Sequence, residues 1–189
     1  TTVTQHNVDE LDEIFQLTQD LGAHAFNPFL LVPTGRGRSL AGWELGRQEY
    51  EKTLNWLARM AEEGETPIRV TCAPHYQRIL RQRGIPVKHQ AKGCQGGKTF
   101  GFISHRGVVQ PCGFLDLNCG DLRETDYDLK PIWEDSPQFG RLRNVDAYRG
   151  KCGICEYRNV CGGCRARARA LLGDYMAEEP HCAYTPGEG

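Results

Sequence analysis

The sequence predicts an α/β body over residues 1–86, read as a partial (β/α) barrel, joined over residues 87–189 to a cysteine-rich α+β region with a β-hairpin and short helices. Three observations carry that division. Helical and extended patterns alternate through the first part, as they do in a barrel or a doubly wound sheet. From about Gly84 the composition changes, and turn residues crowd between short apolar runs. Four cysteines then fall within the thirteen residues from Cys152 to Cys164, as two C-x2-C pairs.

Asn7 and Glu10 have the spacing of a capping box, and Leu11, Ile14, Phe15, Thr18 and Leu21 follow at helical intervals until Gly22. No strand is expected ahead of this helix. Residues 23–32 are apolar and too few for a buried helix, so they read as a strand covered on both faces, with a loop over 33–38 at its C-terminal end. A second helix runs over about 46–62, with Tyr50, Thr53, Leu54, Leu57 and Ala61 inward and Gly64 as its stop. Residues 68–71 make another strand, 72–76 a loop, and a short helix ends at Arg83. Two or three strands are too few to close a barrel, so the sheet should expose an edge unless something covers it.

In the second part, 99–104 and 108–111 flank a turn at His105-Arg106-Gly107 and read as a hairpin, with Cys94 before it and Cys112 at its end. Pro131 to Trp133 opens a short helix, and Ser136-Pro137 reads as an N-cap followed by Pro at the first helical position. Residues 165–172 are expected to be helical and to stop at Gly173.

With 189 residues, 39% hydrophobic, 25% charged and a net charge of −1, the chain has a globular composition, and its overall charge names no partner. It shows no secretory signal and no run of about 18 apolar residues that could span a membrane. Nine cysteines in such a chain therefore point to metal-bound thiolates in a reducing cytoplasm. The opening Thr1-Thr2-Val3, without Met, is expected to lie inside a longer protein.

Zinc ribbons separate their cysteine pairs by about 15 to 20 residues, whereas Cys155 and Cys161 have five between them. That closeness suits an iron–sulfur core, which takes four thiolates, often three from one loop and one from afar. Cys152, Cys155, Cys161 and distant Cys182 satisfy one cluster; Cys94, Cys112 and Cys164 give a second cluster three ligands. A zinc-binding interaction module and an electron-transfer module are the alternatives.

The series Cys94-x12-Gly107-x4-Cys112, Cys152-x2-Cys155-x5-Cys161-x2-Cys164 and Cys182 resembles the seven-cysteine SPASM motif found C-terminal to radical SAM barrels. It departs from that pattern by having two residues rather than three before Cys164, and it has no cysteine just upstream of Cys94. The first cluster's fourth ligand is thus open among His89, Cys119, substrate and solvent. Within the family, 31–37, 71–76 and 161–168 most resemble AhbD-type heme biosynthesis enzymes, the Fe-coproporphyrin III decarboxylases, and related nitrite-reductase heme maturation proteins. The resemblance implies that 1–86 is the C-terminal portion of a radical SAM barrel and 87–189 a SPASM-like domain with two auxiliary [4Fe-4S] clusters. It also implies a porphyrin substrate, an electron-transfer protein, a missing N-terminal barrel half, and S-adenosylmethionine on a third [4Fe-4S] cluster in the full-length enzyme. The C-x3-C-x2-C motif that holds this third cluster does not occur here. By itself the chain is expected to be inactive.

Outside the seven-cysteine pattern, Cys72 and His75 follow a strand's C-terminal end, where barrel catalysis sits, and are the catalytic candidates. Arg36, in a Gly-Arg-Gly-Arg loop, is a candidate for binding a cofactor carboxylate. His89 and His105 read as surface histidines, and Cys119 stands outside the pattern. Between Arg141 and Ala170, eight cations face two acids, a surplus that would stabilise anionic clusters or a carboxylate-rich porphyrin, although each single Arg reads as solvated. Neither a membrane nor a nucleic acid is expected as a partner.

Overall fold

A computed structural model describes residues 1–86 and 93–187. The architecture is mixed α/β, with two small sheets among the described residues. In the first, β1 (Thr2–Val3) pairs in parallel with β2 (Phe29–Leu30). A third parallel row runs through 68–71, where Arg69 N donates to Phe26 O at 2.9 Å and Leu30 N to Thr71 O at 3.1 Å.

β1 corrects the expectation that no strand precedes the first helix. Two residues carry no readable periodicity, and only the neighbouring row at Phe29–Leu30 makes them a strand. The strand expected over 23–32 is interrupted because Pro28 has no N–H for a ladder, which leaves a bridge at Phe26 and the pair Phe29–Leu30.

α1 (Leu11–Asp20) follows a 3-10 turn at Val8–Glu10. Asn7 does not cap it. Its Oδ1 accepts from Thr4 N at 2.9 Å and its Nδ2 donates to Thr2 O at 3.0 Å, which ties the helix entry to β1. The loop expected over 33–38 lies at the start of a 3-10 segment, Gly35–Trp43. α2 (Arg47–Glu63) buries Tyr50, Thr53, Leu54, Leu57 and Ala58, so Ala58 rather than Ala61 completes its inner face. It packs against α3 (Tyr76–Gln82), and Val3, Leu30, Leu54, Leu57 and Ile79 sit in the core these elements enclose.

The predicted hairpin is β3 (Phe102–Ile103) and β4 (Val108–Gln110), Phe102 opposite Gln110. β5 (Gly120–Asp121) adds a third, antiparallel strand that the sequence did not announce. α4 (Leu129–Asp135) and α5 (Pro137–Arg143) follow, the latter entered through Ser136 with Pro at its start, as expected. α6 (Lys151–Ile154) is one turn, and α7 (Arg165–Leu172) ends at Gly173 in the left-handed region, φ +75°. Leu142, Cys164 and Ala166 meet Val32, Phe29 and Cys72 in an apolar cluster through which the two halves of the chain touch. No described helix is long and apolar enough to cross a membrane.

Candidate metal centres

The cysteines of the second half line two hollows. Around one stand Cys152, Cys155, Cys161 and Cys182. Around the other stand Cys94, Cys112, Cys164 and also Cys72. These are the two groups that the spacing predicts, with one thiol more.

Local structure explains the first convergence. Cys152 lies in α6, Cys161 precedes the paired glycines 162 and 163, and Cys182 comes from the tail. Gly163 holds φ +63°, and a Cβ there would lie 2.7 Å from Glu179 Cβ and 2.6 Å from Arg165 Nη2. Only a bare backbone lets the chain pass between Cys161 and Cys164 at this point. The sulfurs receive donors: Glu179 N to Cys152 Sγ at 3.3 Å, Gly163 N to Cys161 Sγ at 3.5 Å, and Arg165 Nη2 to Cys152 Sγ at 3.7 Å. Lys151 Nζ donates to Cys182 O at 2.7 Å.

In the second hollow Cys112 follows β4, and Cys164 is the residue from which α7 starts. Cys94 N donates to Cys161 O at 3.3 Å, so the two cysteine groups are joined through one backbone hydrogen bond. Glu179 joins them a second time, because its Oε2 accepts from Cys164 N at 2.6 Å while its own N–H serves Cys152.

Burial pushes the Cys155, Cys161 and Cys182 thiols up, and likewise Cys94 and Cys112, the last to about 11. Metal ligation would have to expel those protons. Cys164 differs: its hydrogen bond with Cys72, against burial and aided by Arg167, holds it below its ordinary value.

Among the described residues no group of three or more His, Cys, Asp or Glu side chains is arranged around a single ion. The thiolates of a four-iron cube each bind a different iron, so they surround a hollow rather than a point. Four thiols about one hollow, with N–H groups aimed at sulfur and a buried guanidinium beside them, fit such an anionic cluster.

No family model matches the chain. It is 47% identical to the AdoMet-dependent heme synthase of Oleidesulfovibrio alaskensis, over 98% of this chain and 50% of that protein. It is 44% identical to the AdoMet-dependent heme synthase of Methanosarcina barkeri, over 100% of this chain and 56% of that protein. The chain thus spans about half the length of the curated relatives it matches. A crystal structure of Streptococcus suis SuiB bound to S-adenosylmethionine superposes with a TM-score of 0.63 over 100% of this chain and 43% of that one, at 17% identity, a likeness of fold. Over nearly its whole length the chain is similar to the AdoMet-dependent heme synthases, and it shares its fold with SuiB.

The remaining candidates separate. His75 is fully buried, stacked on Tyr50 at 4.7 Å, and lines the hollow of Cys152 rather than that of Cys72; neither ring nitrogen has a hydrogen-bond partner. Burial lowers its pKa to about 3. Arg36 is exposed in the 3-10 segment, and His105 is exposed in the hairpin turn. Cys119 is buried with Val109, Ile132 and Phe139, away from both hollows. His89 lies outside the described residues.

The reading of each arginine as solvated fails for two of them. Arg165 and Arg167 are 1% and 0% exposed. Arg167 donates to Leu31 O at 2.7 Å, Leu30 O at 3.2 Å and Cys72 O at 3.1 Å, and pairs with Glu44 at 3.1 Å and Glu179 at 3.5 Å. Buried Glu44 and Glu179 were not foreseen at all. The one signal was the flanking of both arginines by small residues, in Cys164-Arg165-Ala166-Arg167-Ala168.

Proposed function

We propose that this chain is the part of a radical SAM enzyme that carries two auxiliary [4Fe-4S] clusters, and that the enzyme acts on a tetrapyrrole. The reaction assigned is oxidative decarboxylation of Fe-coproporphyrin III propionates to give heme. The grouping of Cys152, Cys155, Cys161 and Cys182 about one hollow, beside a second that holds Cys94, Cys112 and Cys164, supports the cluster part of this reading. The name heme synthase, borne by relatives at 47% and 44% identity, supports the substrate.

A propionate that loses a hydrogen atom and then carbon dioxide retains one electron that must leave before the vinyl group is complete. The clusters, when bound, supply the acceptor for it. The chain's own residues set that acceptor: the N–H groups of Gly163 and Glu179 and the Arg165 guanidinium stabilise charge on sulfur. His75 is assigned to the catalytic site as a neutral imidazole beside the Cys152 group, and exposed Arg36 to meet a cofactor carboxylate.

In this reading S-adenosylmethionine, its [4Fe-4S] cluster and the rest of the barrel belong to the remainder of the enzyme. An electron-transfer protein delivers or removes electrons, and nine free thiols suit a cytoplasmic setting. The boundary between barrel portion and SPASM-like domain is drawn at residues 86 and 87.

Anaerobic reconstitution of the chain tests the cluster part. About eight iron and eight sulfide per chain are expected from two four-iron clusters. A colourless protein holding one or two zinc ions would sink it. For the substrate, the full-length protein incubated with S-adenosylmethionine, a reductant and Fe-coproporphyrin III should release carbon dioxide from its propionates. An unaltered porphyrin beside fully loaded clusters would reject that assignment alone.

A further inference from the structure

We propose that Cys72 is the fourth thiolate ligand of the cluster held by Cys94, Cys112 and Cys164, so that this cluster has no open iron and does not bind substrate. The proposal rests on the cluster reading above and adds to it a ligand 22 positions upstream of the first cysteine of the seven-residue series, on the barrel side of the chain.

Four observations converge on Cys72. Its side chain lines the same hollow as the other three thiols, and it shares an apolar cluster with Cys112 and Cys164. Its side chain packs against Cys164, and the two thiols are not joined in a disulfide. Its backbone is left-handed, φ 60°, a conformation costly for a residue with a Cβ and retained only where surroundings enforce it. Those surroundings are visible: Arg167 Nη1 and Tyr50 Oη both donate to the Cys72 carbonyl, at 3.1 Å and 3.3 Å. A buried guanidinium and a buried phenol thus pin one peptide group and keep Cys72 at the hollow that Cys164 also lines.

The rival donor among the described residues is poorer. Cys119 lies in a separate cluster, with its thiol donating to Leu117 O at 3.6 Å. Three thiolates leave one iron of a four-iron cube without a protein ligand, and a fourth thiol in the same hollow supplies it. Ligation releases the Cys72 proton to solvent as the sulfur–iron bond forms. A fully thiolate-bound cluster exchanges electrons but accepts no substrate atom, which gives this centre the part of a relay.

The experiment uses the reduced, anaerobically reconstituted full-length protein, followed by iron content and electron paramagnetic resonance. Cys94→Ala identifies the signal of this cluster by its loss. In Cys72→Ser that same signal should shift, while the signal of the Cys152 group stays unchanged. In Cys72→Gly, which suits the left-handed backbone, the freed iron should respond to added imidazole. The wild-type signal should ignore imidazole. An imidazole-induced shift in wild type, or a Cys72→Ser spectrum identical to wild type, overturns the proposal. Should Cys94→Ala itself leave iron and spectra intact, the cluster reading fails instead, and the two failures are told apart.

Discussion

Arg167 shows how much one side chain can hold. Its charge is buried against the carboxylates of Glu44 and Glu179 and against carbonyls from β2 and the Cys72 loop, and it lies 5.1 Å from the Tyr50 ring centre. Arg167→Met would leave two acids facing each other without their cation, at a cost of about 3–5 kcal/mol. Arg169→Met, on the exposed side of α7, should stay within about 0.5 kcal/mol. Urea unfolding of both variants decides, and equal effects would refute the account. Burial works against ionised Glu179, yet the Arg167 guanidinium holds its carboxyl below the ordinary range. His75 supplies a pH dependence of known sign. Its folded pKa, about 3, lies below the unfolded value of about 6.5, so the unfolded chain binds the extra proton between them. Its contribution is intact above about pH 6.5 and declines as pH falls toward 3, by up to about 1.4 kcal/mol per unit. His75→Phe keeps a ring against Tyr50 and removes the titration. Unfolding midpoints at pH 7.5 and 5.5 should therefore converge in His75→Phe relative to wild type, and an unchanged gap would exclude His75 as its source.

At the scale of elements, Gly163 and Gly173 both hold positive φ, +63° and +75°, and only one is crowded. Nothing lies within 4 Å of a Cβ at Gly173, so Gly173→Ala should cost only the backbone term, about 1 kcal/mol. Gly163→Ala meets Glu179 and Arg165 as well, and should displace the donors to Cys152 and lower iron content. Iron retention equal to wild type in both variants would count against the hydrogen-bonded sulfur cage. These elements differ in how legible they are. α2, the β3 and β4 hairpin, α5 behind Ser136-Pro137 and the Gly173 stop all follow from local pattern, because each is specified by residues within one or two turns. β1 and β5 were not legible, since each is two residues long and exists only through a partner strand. Asn7 misled for the same reason: its side chain has a closer claim in Thr4 and Thr2 than in the helix start.

For the whole molecule, the apolar core is uneven. Val3, Leu30, Leu54, Leu57 and Ile79 belong to a core drawn entirely from the first 86 residues, whereas the cysteine-rich half has smaller clusters built around Leu142, Phe139 and Leu115. Metal ligation can contribute on the order of 10 kcal/mol in such a region. Removing iron by chelation should accordingly raise amide exchange around α6 and α7 while α2 stays protected. Uniform loss of protection would show that the halves unfold together. Cys155→Ala should lower iron content and stability more than Cys119→Ala, whose thiol lines neither hollow; equal iron in both would reject the ligand grouping. By itself the sequence determined the helical and hairpin segments and the crowding of Cys152, Cys155, Cys161 and Cys164 into one short loop, because these depend on residues close along the chain. Only the tertiary structure decided that Cys72 joins Cys94, Cys112 and Cys164, and that Arg167 and Glu179 lie inside. Those contacts link residues from 12 to 137 positions apart, and over such separations proximity is set by how the two halves dock, which no local pattern encodes.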